Sequence, residues 1–94
     1  MNENRVLAIR ARLIAVFAPT ELEVIDDSHK HKGHAGAEDG RGHFRVRIVS
    51  SLFSGRKPIE RHRMVFAALR SLLKTDIHAL SVQAIDTEAD QSKQ

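Results

Sequence analysis

Six histidines and no cysteine set the chemistry open to this chain. Imidazole suits iron, zinc and copper. Thiolate nucleophiles, thiolate ligands and disulfides are closed to it. His29, His31 and His34 crowd into one polar stretch, while His43, His62 and His78 stand further along. Such crowding fits a metal site, and it equally fits solvated loop side chains; spacing alone does not decide. A second group is cationic. Arg56, Lys57, Arg61 and Arg63 flank Gly55 and Pro58, where a helix should begin. A helix N-terminus with nearby cations favours phosphate. Arg61 and Arg63 could instead be spent on intramolecular ion pairs and hydrogen bonds. No catalytic constellation is evident. Ser28 beside His29, or Asp26 near His31, would be a dyad in letters only, because adjacent residues at a strand end point apart. A non-enzymatic protein is the expectation.

Positioning these groups falls to one domain, since 94 residues allow no more. Its core should run from about residue 4 to 86, with 87–94 a polar tail. Hydrophobic residues make up 41% and charged ones 29%, as in ordinary globular chains. The net charge of +3 is unevenly spread: Arg and Lys dominate between Lys30 and Arg63, whereas Asp86, Glu88 and Asp90 make the end acidic. A basic middle is compatible with nucleic acid and also with a plain solvated surface. No apolar run nears the roughly 20 residues of a membrane-spanning helix. The polar start, Met1 to Arg5, does not read as a secretory signal or presequence. A soluble, cytoplasmic protein is expected.

Val6, Ile9, Leu13 and Phe17 recur at three- and four-residue spacing and predict a helix over 4–17, stopped by Pro19. Leu22 to Asp26 reads as a short strand. Ser28 to Gly42 reads as a long loop, of a length that is often functional. His43 to Ser50 is the clearest strand, with Phe44, Val46 and Ile48 on one face. After a turn containing Gly55, Pro58 opens a helix to about Lys74, with Val65, Leu69, Leu72 and Leu73 as its apolar stripe. A separate short helical turn around Ile59 to His62 is a further option. His78 to Ile85 closes the chain as a strand.

This order predicts an antiparallel first pair of strands and a third strand parallel to the second, reached through a helical crossover. The N-terminal ends of two parallel neighbours share an edge. The long loop returns to that same edge, so its histidines and His78 are expected to meet there. His43 heads the second strand, but its parity sets it opposite Phe44, Val46 and Ile48. His62, between two arginines, reads as structural.

Several segments resemble the BolA family. Leu22-Glu23-Val24-Ile25-Asp26-Asp27-Ser28-His29-Lys30-His31 is similar to the family's signature after its first helix. Gly42-His43-Phe44-Arg45-Val46 and Ile48-Val49-Ser50 resemble its second strand. Phe53-Ser54-Gly55 with Arg61-His62-Arg63-Met64-Val65 resembles its F-x-G and R-H-R block, and Ile77-His78-Ala79-Leu80-Ser81 its closing motif. Together they cover nearly the whole chain except its ends.

The resemblance implies an α+β, class II KH-like fold of order α-β-β-α-(α)-β, with helices over one face of a three-stranded mixed sheet. Gly33-His34-Ala35-Gly36 matches the KH nucleic-acid loop in letters but lies between strands, so the match is coincidental. Two functions are implied. One is pairing with a monothiol glutaredoxin around a shared 2Fe–2S cluster. The other is transcriptional regulation through DNA, with the segment of Arg56, Lys57, Arg61 and Arg63 likened to a helix-turn-helix. By the family's pattern the cluster ligands on this chain are His78 and a loop residue, His34 or alternatively His31. The remaining ligands would be the glutaredoxin's cysteine and that of glutathione, so the isolated chain is expected to hold no cluster. Histidine can replace cysteine at such clusters, but only as the deprotonated ring.

Overall fold

The computed structural model describes residues 2–28 and 40–87. Helix α1 spans Asn2–Phe17, and its spaced apolar residues Ile9, Leu13 and Phe17 are buried while Val6 packs beside them. It ends at Ala18, whose φ of 43° lies in the left-handed region and whose N–H still reaches the Ile14 carbonyl at 3.1 Å. Pro19 follows and disfavours helical geometry in the residue before it.

Strand β1 (Glu21–Asp26) pairs antiparallel with β2 (Gly42–Val49), and β3 (Ile77–Ile85) lies parallel on the other side of β2. The α+β order and the mixed sheet are those expected from the sequence. Alternation sends Phe44, Val46 and Ile48 into the core against Ile9, Leu13, Phe17, Phe53, Val65 and Leu69. Across the other face run Glu23, Arg47 and Gln83 in one register row and Ile25, Arg45 and Ser81 in the next. Ser50, fully buried, joins the layers: its hydroxyl donates to the Phe17 carbonyl at 2.7 Å and accepts the Leu52 N–H at 3.2 Å.

The expected long helix over 58–74 is instead two, α2 (Pro58–Ala68) and α3 (Arg70–Thr75). The chain bends at Leu69, with φ −101° and ψ 12°, and stays helical through Ile59 to His62. Leu69 is itself a good helix former, so the break is tertiary in origin. Its side chain is wholly buried, its N–H is shared between the carbonyls of Val65 and Phe66, and Arg12 of α1 donates to the Ala68 carbonyl at 3.0 Å.

Candidate functional site

The N-terminal ends of β2 and β3 share one edge, as the topology requires, with Gly42 opposite Ile77. The geometry there departs from simple alternation. Leu80, Val82 and Ala84 pack toward the core, so strict parity would turn His78 inward and Ile77 outward. The register slips between Gly42 and His43, which pairs with Ala79 instead of His78. One extra residue on β3 makes a bulge, a device that re-aims side chains. Ile77 therefore sits in the core at 1% exposure, and His78 faces solvent.

The bulge also sets the His78 ring beside His43, centroids 5.2 Å apart and planes at 49°. His43, which the sequence placed on the bare face as a peripheral candidate, is 8% exposed and forms one wall of this edge. Its signal in the sequence was its parity on β2. A shallow depression of about 310 Å³ opens next to it, bordered by Asp27, Arg45, Ala79 and Ser81.

The strand ends are fastened at this edge. The Asp27 N–H donates to the His43 carbonyl at 2.7 Å, and the His43 N–H donates to Ser28 Oγ at 3.0 Å. The Ser28 N–H in turn donates to Asp26 Oδ1 at 2.8 Å, and Arg45 pairs with the buried carboxylate of Asp27. On the β3 side the Gly42 N–H donates to the Asp76 carbonyl at 2.9 Å. Arg41 donates from Nη1 to the Leu73 carbonyl at 3.1 Å, and its Nη2 lies 3.3 Å from His78 Nδ1. His34 and its alternative His31, like His29, lie outside the described residues. Among the described residues no three or more His, Cys, Asp or Glu side chains cluster closely enough to hold a metal ion. His78 fits a ligand role by its accessible imidazole at this edge.

Asp76 ties α1 to the same edge through Arg5 Nε at 3.1 Å and accepts from Thr75 Oγ1 at 2.7 Å. The Thr75 hydroxyl chiefly, with Arg5 adding to it, holds the Asp76 carboxyl below its usual range against the opposing effect of burial, which outweighs each contribution of Arg5 taken singly. A lowered carboxyl contributes stability that is present above its unfolded value and lost as pH falls through the folded one. Asp76→Asn is therefore expected to lower stability slightly at neutral pH and to flatten its decline below about pH 4, read by urea unfolding across pH. Identical acid limbs in both proteins would refute this. The Asp76 side chain is half-buried, and water still reaches the pair, so solvent screening keeps the effect small.

The cationic segment is partly committed to the fold. Pro58 opens α2, and the Glu60 carboxylate accepts the Lys57 N–H at 2.8 Å. Arg61 donates to the Arg56 carbonyl at 2.9 Å and pairs with Asp86 at 3.2 Å, leaving its side chain 19% exposed. Arg56, Lys57 and Arg63 are exposed. His62 stacks on Phe66 one helical turn away, centroids 4.4 Å apart.

The fold is thus a small mixed sheet, helix-covered on one face, with an imidazole presented at one edge and cations at the start of α2. The chain belongs to the BolA-like protein family, whose model matches residues 13–89. It is 42% identical over 74 residues to the DNA-binding transcriptional regulator BolA of Escherichia coli, covering 79% of this chain and 68% of that protein. It is also 42% identical over 86 residues to SufE-like protein 1 of Arabidopsis thaliana, covering 86% of this chain but only 23% of that one. The solved BolA domain of the Arabidopsis SufE1 superposes with a TM-score of 0.80 at 39% identity, covering 90% of this chain and 94% of the domain. No helix among the described residues is long and apolar enough to cross a membrane.

Proposed function

We propose that this chain is a non-enzymatic adaptor that pairs with a monothiol glutaredoxin and shares a 2Fe–2S cluster with it and with glutathione. Its role would lie in cytoplasmic iron–sulfur cluster trafficking and in iron and redox regulation. The observation that carries this reading is the bulge that turns the His78 imidazole outward at the edge shared by the N-terminal ends of β2 and β3. His78 is one ligand, and His34, or else His31, is the second. The cluster supplies redox-active iron held by labile bonds. The chain's own residues would present the His78 imidazole to it and fix that imidazole's direction. Anaerobic co-purification with a monothiol glutaredoxin and glutathione, followed by visible absorption and circular dichroism, tests the pairing. A mixed sample whose spectrum equals that of the glutaredoxin alone refutes it.

A second reading is a DNA-binding regulator, favoured by the relative that bears that name and by the exposed Arg56, Lys57 and Arg63 at the start of α2. Arg61 contributes less directly, because Asp86 already holds it. Removing the three exposed cations should lower the slope of log affinity against log salt by about 0.9 for each lost phosphate contact. Arg61→Ala should instead lower thermal stability, because it breaks a half-buried ion pair. An unchanged salt slope in the triple variant, with the fold intact, removes this segment as the contact.

A further inference from the structure

We infer that Arg41 is a positioning residue for His78: it fixes the tautomer protonated at Nε2 and occupies the lone pair left on Nδ1, and it must let go before a metal is bound. This rests on the reading of His78 as a ligand. The guanidinium is permanently charged and has donors only. Where Nη2 meets His78 Nδ1 at 3.3 Å, Nδ1 must therefore be the acceptor. A neutral imidazole carries one N–H, so the proton sits on Nε2. Ligation through Nδ1 needs the lone pair that Arg41 engages. Ligation through Nε2 needs the proton moved to Nδ1, where it would face the arginine N–H. Either route breaks the contact.

The arginine has its own anchor. Nη1 donates to the Leu73 carbonyl at 3.1 Å, in the last turn of α3, where carbonyls lack helical partners and a cation is favoured. The residue itself is placed by the neighbouring Gly42 N–H, which donates to the Asp76 carbonyl. Arg41 thus stays at the edge whatever the ring does, and His43 flanks the ring at 5.2 Å. A ligand ring held in one tautomer lowers the fraction of molecules ready to bind, and apparent affinity falls by that fraction.

The test uses the isolated full chain with 15N-labelled histidine at about pH 8, above the imidazole range. Long-range proton–nitrogen correlation should show His78 protonated at Nε2 in the wild type and a mixture of tautomers in Arg41→Met, with Arg41→Lys in between. In the anaerobic mixture with a monothiol glutaredoxin and glutathione, Arg41→Met should acquire the cluster roughly threefold to tenfold faster, the worth of one exposed hydrogen bond. Circular dichroism of the apo variants confirms the fold. An Nδ1-protonated wild type, or the same tautomer in wild type and Arg41→Met, overturns the proposal. So does an unchanged acquisition rate while His78→Ala still blocks the cluster. If His78→Ala has no effect either, the ligand reading has failed, and a tautomer shift in Arg41→Met still upholds the positioning role.

Discussion

His78→Ala is expected to abolish the wild-type spectrum of the mixed complex with a monothiol glutaredoxin and to lower cluster retention by at least about a hundredfold. Loss of groups that merely support a ligand already costs about 10- to 100-fold, and under the proposed function this change removes a ligand itself. The substitution should leave the fold alone. His78 is exposed, the bulge is held by backbone pairing and by Ile77 in the core, and surface changes of this kind stay within about 0.5 kcal/mol. The apo heterodimer should survive, since contacts elsewhere can hold it. His34→Ala should act in the same direction more mildly, because His31 or His29 is close in sequence and can substitute. Visible absorption and circular dichroism of anaerobically prepared complexes read both. A His78→Ala spectrum identical to wild type ends the ligand assignment.

Gly42→Ala is expected to destabilise the isolated chain by about 2–3 kcal/mol, the upper range for overpacking a core, out of a total that is typically 5–15 kcal/mol. A Cβ at Gly42 would lie 2.6 Å and 2.7 Å from two ring carbons of Phe44 and 2.9 Å from Ser28 Oγ. Phe44 is a buried ring in the centre of the sheet, and Ser28 Oγ accepts the His43 N–H, so neither can retreat without loss. The damage should reach function as well, because Gly42 stands between Arg41 and His43 and at the register slip. Gly55→Ala is the control: open space surrounds it, and only its left-handed φ of 75° resists a side chain, which costs about 1–2 kcal/mol. Urea unfolding measures both. A Gly42→Ala protein as stable as wild type would show that the Phe44 ring has room to move.

Much of this architecture was legible in the residues. The alternation through Phe44, Val46 and Ile48 named the core face of β2, and the stripe Ile9, Leu13, Phe17 named that of α1. Pro19 and Pro58 marked a stop and a start. The element order alone predicted a parallel third strand and so the shared edge where His78 lies. These are local properties: a period of two or of 3.6 is carried by a few neighbouring side chains.

What the chain could not announce involves partners distant in sequence. Periodicity states which residues share a face only while the register runs true, and a bulge is a relation between two strands. Parity with Leu80 alone would turn His78 inward, and its outward turn beside His43 emerges only from the pairing with β2. The break at Leu69 depends on Arg12, 56 residues from the carbonyl it binds. Arg61 looked as available as Arg63 until Asp86, 25 residues on, was found against it. Arg41 carried no motif at all. Its bearing on His78 exists because the end of α3, the start of β2 and the bulge of β3 converge, and such convergence is set by the packing of whole elements rather than by any segment's own preference.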